Sequence, residues 1–275
     1  MTPPIDPDLQ AAAAPPDMSY GQYLALDKLL QAQVTLSPEH DELLFITIHQ
    51  TSELWLKQCL HELQAACAHI AVDDVGPALK MIARVSRIQS QLIQSWDILA
   101  TMTPADYSRI RPYLGRSSGF QSYQYRALEF AMGARNRDLL AVHEGSDHHA
   151  KLAAALTTPS LYGQVIALLA RRGFAIDAAI LNRDHAITHV SAPSVEAAWL
   201  AIYQNTDQYW DLYDLAEKLV DLEFRFQQWR FAHMKTVERI IGHKPGTGGT
   251  SGVSYLVKAL DGRFFPELIA VRSGI

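Results

Sequence analysis

The segment 224–252, FRFQQWRFAHMKTVERIIGHKPGTGGTSG, joins an aromatic helical pattern to a glycine-rich loop. His233 shares one helix face with the apolar residues four and seven positions away, which are Phe226, Trp229, Val237 and Ile240. This spacing predicts a helix that directs an imidazole into an apolar interior. A lone histidine on such a face is more often a hydrogen-bonded core residue than a metal ligand.

The helix is predicted to end at Gly242, and the glycines between Pro245 and Gly252 allow several backbone N–H groups to approach an anion. The nucleotide-binding motif Gly-x-x-x-x-Gly-Lys-Ser/Thr is absent. The loop also follows a helix, whereas the common phosphate-binding loops follow a strand. A plain connecting loop and an anion site are therefore both open interpretations.

The composition is that of a compact globular protein, with 275 residues, 48% hydrophobic and 19% charged. A net charge of −5 and a pI near 6.1 argue against nucleic acid as the main partner. Cys59 and Cys67 lie eight positions apart on one predicted helix, too far to bridge each other. Reduced thiols and a cytoplasmic location are the expectation.

The first 17 residues, MTPPIDPDLQAAAAPPD, are rich in proline and carry no basic region of a secretory signal. We expect residues 1–17 to form a mobile N-terminal arm. No apolar run is expected to reach the roughly 18 residues of a membrane span. The chain should therefore be soluble and make no membrane contact.

The remainder, residues 18–275, is predicted to form a single all-α domain built on an up-and-down bundle of long helices. No alternating strand pattern and no internal repeat is evident. Residues 135–193 show shorter helical patterns and are expected to form a smaller helical insertion. Apolar spacing and turn residues predict the main helices at 19–33, from Pro38 to Ile70 with Ser37 as N-cap, 78–101, 121–132, and from Pro193 to Ile241 with a break near 205–208.

Two further stretches carry polar groups that a bundle core does not need. In FITIHQTSELWLK (45–57), spacing by fours directs His49 inward beside Phe45 and Leu56. The stretch RIRPYLGRSSGFQSYQYR (109–126) gathers four arginines around serine and glycine. It is either a solvated basic loop or a site where an arginine holds a carboxylate through two hydrogen bonds.

Taken together, these stretches resemble the tryptophan 2,3-dioxygenases, a haem enzyme family related to the indoleamine 2,3-dioxygenases. The blocks FITIHQTSELWLK, RPYLGRSSGFQSYQYR and WRFAHMKTVERIIGHKPGTGGTSG occur in family order, preceded by SYGQYLALD. They span nearly the whole chain. The block around His49 is that of the tryptophan-specific family.

The resemblance implies a helical bundle around one noncovalent b-type haem per subunit, ferrous in the active state. It implies that O2 cleaves the indole C2–C3 bond of L-tryptophan to give N-formyl-L-kynurenine, the first step of the kynurenine pathway. His233 matches the proximal iron ligand. His49 matches the distal catalytic histidine that accepts the indole N–H, and its role as a base stays open.

The same resemblance assigns the remaining site residues. Arg111 corresponds to the clamp on the substrate carboxylate, and Thr247 to a residue that binds the substrate's charged end and closes the pocket. Tyr107 is assigned to the substrate site near Arg111, and the surroundings of the indole ring and haem to Phe45, Leu114 and Tyr125. Trp96 and Ser118 are assigned to the haem edge or a propionate, and Gly119 to cofactor binding.

A homotetramer, arranged as a dimer of dimers, is also implied. In that assembly the N-terminal segment is exchanged between subunits, so that Tyr20, Tyr23 and Leu24 contribute to a neighbour's substrate site.

Two other classes of protein compete with this interpretation. A non-haem metal enzyme could use His185 and His189, or the group at His143, His148 and His149. A helical interaction protein would explain the aromatic stripes as core, but it leaves Arg111 and the glycine loop without a role.

Overall fold

The computed structural model describes residues 17–249 and 251–275, and within these ranges all regular structure is helical. The predicted all-α class is confirmed. The α-helices are α1 (Tyr20–Tyr23), α2 (Leu26–Leu29), α3 (Glu42–Ala71), α4 (Val75–Leu99), α5 (Pro104–Ile110), α6 (Tyr123–Met132), α7 (Asp147–Thr157), α8 (Leu161–Arg171), α9 (Ala178–Leu181), α10 (Pro193–Gln204), α11 (Trp210–Ile241), α12 (Val253–Leu260) and α13 (Pro266–Ala270). Single 3₁₀ turns cover Arg111–Tyr113, Gly119–Gln121 and Val271–Ser273, and a longer one covers Arg137–His143.

Three long helices form the centre of the bundle, with α4 packed against both α3 and α11. Each helix buries an apolar face with 3–4 spacing, represented by Leu63 on α3, Ile82 on α4 and Leu219 on α11. The large core that results also contains residues from α8, α10 and α13. Cys59 lies within it, and both cysteines are free as predicted.

A second, smaller apolar cluster lies where α3 begins and where α4 and α11 end. Its buried members are Ile48, Trp96, Leu99, Met102, Ile110 and Ile240. Since α3 runs antiparallel to α4 and α11, one end of the bundle collects residues from all three helices. This cluster forms one wall of the cavity described below.

Helix α3 starts at Glu42, whereas the sequence predicts a start at Pro38 with Ser37 as the N-cap. The carboxylate of Glu42 accepts hydrogen bonds from the backbone N–H groups of Leu36 (2.8 Å) and Ser37 (2.6 Å) and from the Ser37 hydroxyl. Residues 37–41 therefore turn around a buried acid before the helix begins. The predicted cap is wrong because the side chain of Ser37 donates to this acid.

Helix α4 begins at Val75, so that Gly76 and Pro77 lie in its first turn and do not break the chain as predicted. Proline is tolerated there because the first N–H groups of a helix have no partner within it.

The prediction of one continuous helix over 19–33 is wrong. Ala25 takes a left-handed conformation with φ of 50°, and this divides the segment into α1 and α2.

The region predicted as an insertion makes two different contacts. Helix α8 packs on α3 and contributes Leu161, Val165 and Leu168 to the main core. Helix α7 instead packs on α6 in a small separate cluster around Phe130 and Leu152. The region is therefore joined to the bundle through α8.

The stretch Asp147–Arg171 is long and apolar enough to cross a membrane by length and composition, with a mean hydropathy of 1.4. The prediction that no apolar run reaches this length is therefore wrong. The structure divides the stretch between α7 and α8 at residues 158–160, and 56% of its apolar window is buried inside the protein. Core helices of globular proteins have the same composition, so the stretch is weak support for a membrane span.

A buried polar network attaches the C-terminal helix α13 to the bundle. Glu267 is fully buried and accepts hydrogen bonds from Tyr162 Oη (2.8 Å), His189 Nε2 (2.6 Å) and the backbone N–H of Ala192 (2.9 Å). The Trp199 indole N–H donates to the same Tyr162 hydroxyl. A carboxylate with this many donors stabilises the fold only while all of them are satisfied.

We predict that Glu267→Ala lowers the free energy of unfolding by roughly 3–5 kcal/mol, because it leaves buried donors without an acceptor. Glu217→Ala is the matched control, since Glu217 also accepts from a tyrosine hydroxyl and an arginine, Tyr203 and Arg272, but at the surface. The control substitution should lower the free energy of unfolding by about 1 kcal/mol or less. Urea unfolding followed by circular dichroism measures both, and equal losses would contradict the prediction.

Candidate active site

A cavity of about 1570 Å³, which includes the open space at its mouth, lies at the end of the bundle. Its walls come from α3, α4, α5, α6, α11 and α12, from the segment 117–122 and from Gly246, Thr247 and Gly252 of the glycine-rich loop. Of the residues predicted to form the site, those that line this cavity are Phe45, His49, Trp96, Tyr107, Ser118, Gly119, Tyr125, His233 and Thr247. Segments up to about 200 positions apart thus meet in one place.

His233 packs against two neighbouring indole rings on the α4–α11 side of the cavity. The Trp96 ring stacks on it with a centroid distance of 4.5 Å and an interplanar angle of 13°, and the Trp229 ring lies 5.5 Å away. Desolvation, together with the nearby His49, lowers the pKa of His233 to about 4. The imidazole is therefore neutral at pH 7 and has the protonation state that a metal ligand requires.

Trp96 has an indole Nε1–H that is buried and has no hydrogen-bond partner among the described residues. Buried donors are nearly always paired in a native protein, because an unpaired one costs about 1–3 kcal/mol. Trp96 lines the cavity and stacks on His233. Its indole N–H therefore has a position from which it can donate to a bound group.

His49 lies on α3 with its Nδ1 2.7 Å from the carbonyl oxygen of Phe45. Because a carbonyl oxygen only accepts, Nδ1 carries the proton and Nε2 keeps a lone pair. Desolvation lowers the pKa of His49, and the Phe45 hydrogen bond and the charge of Glu53 raise it by smaller amounts. The Phe45 ring packs on the imidazole at a centroid distance of 4.2 Å. The cavity thus contains a neutral imidazole that can accept a hydrogen bond.

Tyr107 lines the cavity, and its ring lies 6.2 Å from that of Phe45. Burial raises the pKa of Tyr107, and the positive charge of Arg111 lowers it by a smaller amount. Arg111 itself is not a lining residue, and its Nη2 donates to the carbonyl oxygen of Pro245 at 2.8 Å. Leu114 packs against the apolar cluster behind the cavity wall.

The glycine-rich loop lies directly on the segment that contains Ser117 and Ser118. Thr247 Oγ1 donates to the Ser117 carbonyl oxygen at 2.5 Å. A Cβ atom at Gly248 would lie 2.7 Å from the Ser118 Cβ, so no larger residue fits without displacing the loop. Gly252 has a φ of 63° and approaches the Lys244 carbonyl, which again requires glycine. The glycines allow the loop to cover the cavity at close range.

A buried charged cluster on the cavity wall was missed in the sequence. Glu129 on α6 accepts hydrogen bonds from Tyr125 Oη (2.9 Å), from Arg126 Nη1 and from Arg230 Nη2 on α11 (2.9 Å). Two guanidiniums against one carboxylate leave a net charge of +1. Burial and the Glu129 charge raise the pKa of Tyr125 well above its usual range. Tyr125 and Arg126 precede Glu129 by four and three residues, a spacing that places all three on one helix face and could have indicated the cluster from the sequence.

Helix α12 was also missed, although Tyr255, Leu256 and Ala259 form part of the cavity wall. The apolar residues of VSYLVKAL recur at helical spacing, which was a sufficient signal. Arg230 donates to the carbonyl oxygens of Ala259 (2.9 Å) and Gly262 (3.3 Å). The end of α12 is therefore fixed to α11 and, through Glu129, to α6.

The N-terminal site residues lie apart from this cavity. Tyr20, Tyr23 and Leu24 are 75%, 74% and 40% exposed and do not line it. Thr250 lies outside the described residues, as do residues 1–16 of the predicted arm.

Two of the histidines considered for a non-haem metal make other contacts. His189 is bound to Glu267, and His148 stacks on Tyr123 with ring centroids 3.8 Å apart. Within residues 17–249 and 251–275, no group of three or more His, Cys, Asp or Glu side chains is arranged to hold a metal ion. The non-haem alternative therefore gains no support from the geometry.

Comparisons with known proteins identify the family of the chain. The sequence model of the family described as tryptophan 2,3-dioxygenase matches residues 8–202 and 176–275. Proteins named tryptophan 2,3-dioxygenase from Polaromonas sp., Erythrobacter litoralis and Bacillus cereus are each 58% identical to the chain. The alignments cover 94% of this chain in each case, and 88%, 99% and 92% of the respective relatives. At this identity and coverage, the chain belongs to the tryptophan 2,3-dioxygenase family.

Proposed function

We propose that the protein is a haem-dependent dioxygenase that cleaves the indole C2–C3 bond of L-tryptophan with O2. The product would be N-formyl-L-kynurenine, and the reaction is the first step of tryptophan catabolism by the kynurenine pathway. The observation that carries this proposal is one cavity in which two neutral imidazoles, His49 on α3 and His233 on α11, lie among aromatic side chains. Family membership supports the same activity.

The residues of the cavity fit a b-type haem, one per subunit. His233 is a neutral imidazole, as an iron ligand must be, and would hold the haem; the Trp96 indole N–H lacks a partner within the described protein. The net positive charge of Arg126, Glu129 and Arg230 complements the carboxylates of such a group. We assign Ser118, Gly119 and Tyr125 to its surroundings. When bound in the ferrous state, haem supplies the site at which O2 reacts.

His49 orients the substrate ring. Its Nδ1–H is held by the Phe45 carbonyl, so its Nε2 lone pair can accept the indole N–H. The lowered pKa keeps this acceptor unprotonated at neutral pH. The Phe45 ring next to it provides an apolar surface for the indole. The geometry supports a hydrogen-bond acceptor and is equally compatible with proton transfer.

Arg111 and Thr247 would bind the charged end of the amino acid. The Arg111 guanidinium has a planar set of donors that matches a carboxylate, and Tyr107 lies beside it. Both residues already contact the mouth of the cavity, Arg111 through Pro245 and Thr247 through Ser117. Leu114 supports this wall from behind. Substrate binding would therefore engage the loop and the clamp together.

The exposed N-terminal helices fit a role in assembly. Tyr20 and Tyr23 present aromatic rings to solvent, and Val34 and Leu36 are similarly exposed. Exposed apolar side chains in this number are typical of a subunit interface. We propose a cytoplasmic homotetramer, a dimer of dimers, in which Tyr20, Tyr23 and Leu24 complete the substrate site of a neighbouring subunit.

His233→Ala should lose its haem, whereas the wild-type protein should show a Soret band and consume tryptophan and O2 together. We expect haem content to fall at least roughly tenfold, because the substitution removes the imidazole proposed to hold the iron. His61→Ala is the matched control, since His61 is an exposed histidine on α3. Absorbance spectra and haem extraction measure the result. A normal Soret band from His233→Ala would exclude His233 as the ligand.

Arg111→Leu should weaken tryptophan binding by roughly 100-fold, since it removes a charged hydrogen-bond donor to the substrate carboxylate. The haem content should stay at the wild-type level. Arg116→Leu, which changes an exposed arginine outside the cavity, serves as the control. Titration of the haem spectrum with tryptophan measures both dissociation constants, and equal affinity of Arg111→Leu and wild type would contradict the clamp.

Deletion of residues 1–26 should abolish activity while the helical content is retained, because Tyr20, Tyr23 and Leu24 are exposed and no residue of the buried core lies in the described part of the deleted segment. Mixing this protein with a His49→Ala, full-length protein tests the exchange directly. The His49→Ala subunits can donate an N-terminal segment to truncated subunits that retain His49. Recovery of activity after unfolding and joint refolding is expected, and no recovery would contradict the exchange.

A further inference from the structure

Glu53 is an acidic residue on the cavity wall that the proposed reaction does not yet use. It lies on α3 four residues after His49, so the two side chains occupy the same helix face one turn apart. Both line the cavity. A carboxylate in a largely apolar cavity carries a desolvation cost and is retained only where other groups compensate for it.

Gln124 on α6 holds Glu53 in place. Its side-chain Nε2 donates to the Glu53 carboxylate oxygen Oε2 at 2.8 Å and to the Glu53 backbone carbonyl at 2.8 Å. The same amide thus binds the side chain and the main chain of one residue. This contact joins two helices at residues 71 positions apart and fixes the turn of α3 that carries His49.

The charge of Glu53 acts on His49. It raises the pKa of His49, against the larger lowering caused by desolvation. Because Nδ1 of His49 already donates to the Phe45 carbonyl, a more basic ring means a stronger acceptor at Nε2. The other charges on the cavity wall, in the cluster of Glu129 with its two arginines, lie on α6 and α11.

We propose that Glu53, held one helical turn from His49 by Gln124, is a positioning residue whose charge strengthens His49 Nε2 as the acceptor for the substrate's ring N–H. This inference rests on the proposed function. Glu53 acts on the reaction only through His49. Its contribution should therefore be confined to substrates whose ring carries an N–H group.

The test compares L-tryptophan with the analogue in which sulfur replaces the ring nitrogen, so that the ring has no N–H. Binding of each to the haem-loaded protein is measured by spectral titration. Glu53→Gln keeps an oxygen acceptor for Gln124 and removes the charge. We expect it to reduce the preference for tryptophan over the sulfur analogue by roughly threefold to tenfold, the usual range for one hydrogen bond.

Three further variants test whether the effect is specific to Glu53 and acts through His49. Glu144→Gln, an exposed glutamate outside the cavity, should keep the wild-type preference. Gln124→Met keeps the charge but releases the carboxylate, and should show a smaller reduction in the same direction. In a His49→Ala background, Glu53→Gln should have no further effect, since the residue through which it acts is gone.

The outcomes separate this inference from the proposed function. If the wild-type protein binds no tryptophan, the proposed function fails. If it binds tryptophan with a clear preference that Glu53→Gln and Gln124→Met both leave unchanged, the role of Glu53 is excluded. A uniform loss of affinity for both ligands would assign Glu53 a purely structural role and overturn the proposal as well.

Discussion

The packing of α4 against both α3 and α11 is the constraint on which the site depends. It sets the separation of two long helices that each carry one inward histidine. The contact is made by fully buried apolar side chains such as Leu63, Ile82 and Leu219, so it cannot shift without opening cavities in the core. His49 and His233 are therefore presented to the same cavity by two different rigid helices, which suits a site that must position a substrate against a cofactor.

Desolvation is the second determinant, because it keeps both imidazoles neutral. The apolar walls lower the pKa of His233 to about 4 and that of His49 in the same direction. A neutral ring can ligate a metal or accept a hydrogen bond, and a protonated ring can do neither. The positive charges of Arg126 and Arg230 are confined to the α6–α11 wall, where Glu129 pairs with both. Burial thus keeps the two imidazoles neutral, while the α6–α11 wall has a net positive charge.

The mouth of the cavity is built on a close contact between two loops. Gly248 and Ser118 approach so closely that a Cβ atom would not fit, and Thr247 and Arg111 each bond across the same junction. The residues proposed to hold the substrate's charged end are therefore the same ones that join the loops. Under the proposed function, recognition of the substrate and closure of the cavity would be coupled through these hydrogen bonds.

Helical spacing by itself determined the all-α class, the long helices and the inward direction of His49 and His233, because a 3.6-residue period is a local property of the chain. The motif blocks determined the family. Only the tertiary structure decided that Arg111 bonds to Pro245, that α12 closes the cavity, and that Arg230 pairs with Glu129, which lies 101 positions away. Such pairs depend on how distant helices pack, and no local pattern specifies that. Local helix signals also failed at two other places. The buried hydrogen bonds of Glu42 delay the start of α3, and the left-handed conformation of Ala25 divides the first helical segment.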